Sequence, residues 1–248
     1  MRGWRGVVLV GVTVLAATPV FGREACQERT LGLRYSPQAR EQWCWAASSE
    51  MVLEFLGEPS TRACQCRQAQ AVLGASGCCA GPRSCQPGTD MPARCDQPRW
   101  PAFAEKPALY GFEFRTTCDP LPNRQNDDGC EGRPIGWRDL TDEICVGRPV
   151  IAVLHAPGSE TGHAIVVKGF STHPNRRVLV VDPAGLCPPG RDCEGELDEG
   201  FWLSYEEFAA GWDGRVHWVD FYALRRVAGQ KSRRGVRPRA ESVPTIGG

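Results

Sequence analysis

The chain has 248 residues, 42% of them apolar, enough for one substantial core or two lobes sharing one. Lys+Arg and Asp+Glu both number 29, so the formal net charge is zero. No basic field points to nucleic acid, and no acidic field points to a cationic partner.

Arg2 and Arg5 precede an uncharged apolar run from Gly6 to Phe21, with the small residue Gly22 after it. This is the layout of a secretory signal peptide cleaved near Gly22. The run of about 16 residues is short of the roughly 20 that span a bilayer. The expectation is therefore a secreted or periplasmic protein with no stable membrane association after cleavage. Export changes how the 13 cysteines are read. In an oxidising compartment such density means disulfides, and an odd count leaves at least one thiol unpaired in a monomer.

Residues 23–43 read as a short lead-in. Helical spacing of Trp45, Ser48, Val52, Phe55 and Leu56 predicts a helix from Cys44 to about Leu56, ended by Gly57 and Pro59. A second helix is expected over Thr61–Leu73, with Gly74 as its stop. Residues 74–134 carry six cysteines and eight prolines ahead of Pro134, and read as a disulfide-laced, loop-rich insertion with one short helix near 101–110. Trp137–Cys145 reads as another short helix. From Arg148 the pattern is β: Val150–His155, Ala164–Phe170, Val178–Asp182, Phe201–Leu203 and Val216–Leu224. Ser204 and Glu207 form a capping box for a helix over 204–211. Residues 226–248 are basic and rich in Gly and Pro, the composition of a disordered tail. Helices followed by a mostly antiparallel sheet make an α+β chain.

The sharpest local signal is the run from Gln38 to Ser48, with Trp43-Cys44-Trp45 at its centre. A thiol is a useful nucleophile as thiolate, and a free cysteine has a pKa of about 8.5. A helix N-terminus and a neighbouring histidinium both lower it. Cys44 stands where the helix is expected to begin. Of the four histidines, His163 is the best-placed base, at the start of an apolar strand after Gly162. A hairpin whose paired residue numbers sum to about 347 sets Asp182 opposite Ile165, diagonal to His163 and able to orient its ring. The alternative role for Asp182 is to form a turn before Pro183. An oxyanion needs donors: the Cys44 N–H is one, and Gln38 or Gln42 qualifies as another. Trp45 and Gly162, beside the nucleophile and the base, are expected to bind substrate, with pocket walls built from residues 74–134 and the Gly158–Gly162 loop.

The run resembles the papain superfamily of cysteine peptidases, in which a glutamine six residues before a Cys-Trp pair completes the oxyanion hole. It is most similar to bacterial secreted papain-like and bacteriocin-leader-peptidase-like proteins. Those share the block Trp43–Ser48, a Cys78-Cys79 pair, Gly162-His163, Asp182-Pro183-Ala184-Gly185 and Ser204–Phe208, in that order. The resemblance covers about residues 35–225 and implies Gln38 as the oxyanion donor, Cys44 as nucleophile, His163 as base and Asp182 as orienter. It implies a two-lobed fold, a helical lobe bearing the cysteine and a β lobe bearing His and Asp, within a peptidase domain over 23–225. The activity implied is cleavage of peptide or isopeptide bonds in a protein or peptide substrate by a monomer without cofactor or metal. Alternatives are a thiol-dependent acyl transferase or transamidase, and a silent disulfide-rich binding module. Cys64-x-Cys66 and Cys78-Cys79 carry a further alternative, a zinc site.

Overall fold

The computed structural model describes residues 26–118, 132–188, 198–211 and 214–227. The expected signal segment, and the expected tail beyond residue 227, lie outside them.

A short strand, β1 (Glu28–Thr30), leads into an extended segment and then α1 (Cys44–Phe55). Nine of the helix's twelve residues are buried, so it is a core helix and not a surface one. The second expected helix is two: α2 (Ser60–Ala63) and α3 (Gln65–Leu73). Cys64 separates them in extended conformation, with ψ 145°. Gly74 closes α3 at φ +63°, a left-handed position that suits a residue without Cβ. The 101–110 segment is likewise two single turns, α4 (Ala102–Glu105) and α5 (Pro107–Tyr110). The break falls at Lys106, where the following proline disfavours helical geometry. Next come β2 (Phe112–Thr116), α6 (Trp137–Cys145), β3 (Val150–His155), β4 (Gly162–Ser171) and β5 (Arg177–Val181). The described chain ends with β6 (Phe201–Ser204), α7 (Tyr205–Ala210) and β7 (Val216–Arg226). The Ser204–Glu207 capping box forms as its spacing predicts. The last strand runs through Arg226, past the boundary expected for the tail.

The strands form one antiparallel sheet in the order β2-β7-β3-β4-β5-β6, with β1 added against the far end of β4. Both faces are covered. Ile151 and Val153 of β3 join a core with α1 and the Cys-rich segment, whereas Val150, Ala152 and Leu154 join a second core with α6 and α7. The period-2 alternation of one strand thus feeds two apolar layers.

Disulfides fasten the periphery. Cys26–Cys145 ties the chain before β1 to the end of α6. Cys64–Cys85 and Cys66–Cys79 bind the start of α3 to the loops that follow it, and Cys78–Cys95 closes those loops on themselves. Cys118 and Cys187 are disulfide-bonded as well. All four sulfurs of the alternative zinc site are therefore consumed in bridges, which overturns that reading. No helix among the described residues is long and apolar enough to cross a membrane.

His217 and Asp220, both fully buried, join β7 to its surroundings. The ring donates from Nδ1 to Asp220 Oδ1 (2.8 Å) and from Nε2 to the Phe208 carbonyl (2.6 Å). A carboxylate and a carbonyl only accept, so both ring nitrogens carry hydrogen and the group is an imidazolium. Asp220 Oδ2 also accepts the Ile135 N–H at 2.7 Å. Burial pulls the His217 pKa down, but the charge and hydrogen bond of Asp220 and the Phe208 carbonyl outweigh it and raise it. A raised histidine contributes stability that is complete below the unfolded value of about 6.5 and is lost as pH rises through the folded value. Asp220→Ala should cost about 3–5 kcal/mol by leaving a buried charge unpaired. Urea unfolding should show the wild type losing stability as pH rises above the ordinary histidine value of about 6.5, and the variant losing less.

Candidate active site

The turn that delivers Cys44 is fixed from outside itself. Arg40 donates to the Gly88 carbonyl (2.9 Å), and the Gln42 N–H donates to Asp96 Oδ1 (3.0 Å). The indoles of Trp43 and Trp45 donate to the carbonyls of Cys95 (2.7 Å) and Gln97 (3.0 Å). The nucleophile's neighbours are thus strapped to the segment that Cys78–Cys95 holds closed. Cys44 is the first residue of α1, and no side chain caps that helix end. Its N–H has no acceptor within the helix, and the unpaired N–H groups there carry partial positive charge. Cys44 is the one free cysteine among the described residues, and it is 8% exposed.

The helix lies along the start of β4. The Cys44 thiol is 3.8 Å from the Gly162 carbonyl, and one turn further on Ser48 donates to the Ala164 carbonyl at 3.0 Å. Between those two carbonyls stands His163. Its Nε2 donates to both oxygens of Asp182, at 2.8 and 2.9 Å. Cys44 also acts on the ring, raising its pKa, and Nδ1 is the ring nitrogen that Asp182 leaves free. Burial pulls the His163 pKa down. The bonds to Asp182 and Cys44 and their charges overcome this and raise it to about 9.

The β4–β5 ladder explains the reach. Val166 pairs with Val181 and Val167 with Val180, both sums being the expected 347. One step further sets Asp182 opposite Ile165, diagonal to His163. Asp182 also forms the turn: its Oδ1 accepts the Ala184 N–H (2.7 Å), and its carbonyl accepts from Gly185 (3.0 Å). The two roles weighed for this residue are compatible in one carboxylate, which is 2% exposed.

Gln38 is close by but otherwise engaged. Its N–H donates to the Pro183 carbonyl (2.8 Å), tying it to the Asp182 turn. Its side-chain nitrogen donates to the carbonyls of Arg40 (3.1 Å) and Glu41 (2.9 Å), and its Oε1 is buried without a partner. Gln42 contributes its backbone to the Asp96 strap.

A small cleft opens beside the thiol. Cys44, Trp45, Val153, Gly162, Ala164 and Trp218 line it, with Pro98–Trp100 on one lip and Glu160–Thr161 on the other. Both lips come from the two loop regions expected to wall the site, and both expected substrate contacts, Trp45 and Gly162, are in the lining. Glycine is required at 162: a Cβ there would stand 2.8 Å from Val153 Cγ1 and 3.1 Å from Trp218. Trp100 and Trp218 pack edge to face at 4.8 Å, and His155 stacks on Trp218 at 4.7 Å. From sequence Trp218 is a candidate groove residue with core packing the default and Trp100 is not singled out, because an indole lining a cleft has the same local pattern as one in a core.

No family model matches this chain, and no curated protein does. Among solved structures it is similar to UfSP from C. elegans, with 15% identity and a TM-score of 0.42. The match covers 80% of this chain and 34% of that one, so the chain spans about a third of its length. A likeness at that level carries no weight here, and the site stands on its own geometry.

Imidazole NMR should place the His163 titration near pH 9. Asp182→Asn should move its midpoint down toward the ordinary histidine value of about 6.5. Replacing the Cys78–Cys95 bridge by Cys78→Ser/Cys95→Ser should cost about 3 kcal/mol in denaturant unfolding. The same change should loosen the straps on Trp43 and Trp45, read as enhanced hydrogen exchange at both indoles.

Proposed function

We propose that this chain is a secreted cysteine peptidase of papain-like chemistry. The helices α1–α5, with Cys44, act as one lobe, and the sheet bearing His163 and Asp182 acts as the other. The observation that carries the reading is one arrangement. A cysteine left out of every bridge stands at an uncapped helix start, against a histidine held by a buried carboxylate. Disulfides consume every other described cysteine, so structural pairing does not account for this one.

The resting pair is a Cys44 thiolate beside a His163 imidazolium. The thiolate attacks the carbonyl carbon of a peptide or isopeptide bond, forming a C–S bond and an oxyanion. The Cys44 N–H stabilises that oxyanion, joined by Gln38 when one amide hydrogen leaves the Arg40 carbonyl. His163 then gives its proton to the departing amine as the C–N bond breaks, leaving a thioester. In the second half, His163 takes a proton from water. The resulting hydroxyl attacks the thioester, the C–S bond breaks, and the thiolate–imidazolium pair returns with a free carboxylic acid. Asp182 holds the ring in the tautomer and orientation both steps need. Trp45 and Gly162 flank the scissile bond, and the cleft takes the acyl side of a protein or peptide substrate.

We further propose that residues 1–22 direct export, that the peptidase unit runs from residue 23 to the end of β7 at Arg226, that the residues after it are an appendage, and that the enzyme works as a monomer. Four assigned bridges support an oxidising compartment.

Alkylation by iodoacetamide tests the reading. Cys44 should be modified rapidly at pH 6, and Cys44→Ala should lose both the adduct and all amide hydrolysis. His163→Ala should slow alkylation at pH 6 by about two orders of magnitude, the thiolate deficit of a cysteine with a pKa of about 8.5. An unmodified Cys44, or one recovered in a disulfide, would sink the proposal and leave a binding module.

A further inference from the structure

Gln65 stands between two half-cystines, Cys64 and Cys66, whose bridges to Cys85 and Cys79 pin the start of α3. It is 6% exposed, rare for a glutamine in the first turn of a helix. Its side chain points away from α3, toward the turn that carries Gln38. Oε1 accepts the Ala39 N–H at 2.8 Å, and Nε2 donates to the Pro37 carbonyl at 2.9 Å. One amide therefore grips the backbone on both sides of residue 38 without touching the Gln38 side chain. Nε2 also reaches Glu50 Oε2 at 3.0 Å and Ser36 Oγ at 3.1 Å, and Ser36 Oγ donates to the same Glu50 oxygen. Glu50 lies on α1, the helix that begins at Cys44.

We infer that Gln65 is a positioning residue for oxyanion stabilisation: it sets the place of Gln38 relative to Cys44. This rests on the thiol-peptidase reading. The chain of contact is short. Gln65 fixes residues 37 and 39, the Gln38 N–H is fixed by Pro183, and Glu50 ties the assembly to the nucleophile's own helix. The segment between the lead-in strand and α1 has no ladder or helix of its own, so its backbone groups need such partners. A donor displaced by about 1 Å costs on the order of 100-fold in rate, which makes the precision of this grip a catalytic matter. Gln65 itself touches no reacting atom.

The test separates two reactions of the same thiol. Iodoacetamide alkylation proceeds by displacement at a methylene carbon and needs no oxyanion donor. Acylation by p-nitrophenyl acetate passes through a tetrahedral oxyanion and does. In Gln65→Ala, alkylation of Cys44 should stay within twofold of wild type, while acylation should fall about tenfold, a fraction of the 100- to 1,000-fold loss from removing a donor outright. Gln38→Ala should show the same split, and the double variant should acylate no slower than Gln38→Ala alone, because Gln65 acts through Gln38. If Gln65→Ala does not fold, Gln65→Met serves, since it keeps most of the buried volume and removes both the acceptor for Ala39 and the donor to Pro37. Additive losses in the double variant, a parallel fall in both reactions, or unchanged acylation would each overturn the inference while leaving the peptidase reading intact. Failure of wild-type Cys44 to alkylate at all is a different result: it overturns that reading, and this inference with it.

Discussion

The pairing of β4 with β5 is the constraint on which the site depends. Side chains in a strand alternate strictly, so a slip of one residue would turn Asp182 away from His163 altogether. Two features pin the register. Val166, Val167, Val180 and Val181 are all fully buried, and no slipped pairing keeps each in its own apolar layer. The hairpin also holds one extra residue, because the ladder passes from Val167↔Val180 to Gly169↔Leu179. That irregularity sits at Lys168, between the site and the hairpin's turn. It lets the far half of β4 adapt to β1 without disturbing the half that carries the histidine.

The other half of the site is built differently. Residues 36–43 precede α1 without regular structure, and four of their polar contacts are made by distant parts of the chain: Gln65, Gly88, Asp96 and Pro183. An apolar core cannot specify such a turn, because hydrophobic burial has no direction. Hydrogen bonds do have direction, but they hold a turn only if their own anchors are rigid. Three bridges within residues 64–95 supply that rigidity in a stretch whose longest described helix is nine residues. The Cys-rich insertion therefore serves as a splint for the nucleophile's approach and as one lip of the cleft.

Much of this was legible in the residues. Helical spacing gave α1 and a Val- and Ile-rich run gave β3, both close to their observed bounds, the stop at Gly147 closed α6, and a capping box marked α7. The diagonal placement of Asp182 followed from counting across a hairpin. What escaped has physical reasons. β1 is three exposed polar residues at a sheet margin, so it lacks the apolar alternation that reveals a strand, whereas β2 carries that alternation in Phe112-Glu113-Phe114-Arg115 but over only five residues. The splits at Cys64 and Lys106 depend on backbone dihedrals that a helical pattern does not report. Disulfide pairing depends on which cysteines the fold brings together. Gln65 gave no local sign, since its role lies in what is across from it. His217 and Asp220, three apart in a strand, match no periodic template and pair only because β7 bends where its register shifts.

The unpaired Cys44 among so many bridges has a consequence for the conditions under which the protein works. Its sulfur must stay reduced, while the sulfurs a few residues beyond the cleft must stay oxidised to keep its neighbours in place. Strong reductant, the usual means of reviving a thiol enzyme, would cut the splint along with any adduct on the nucleophile. Strong oxidant would spare the splint and silence the nucleophile. The functional molecule is thus confined to a band of redox poise.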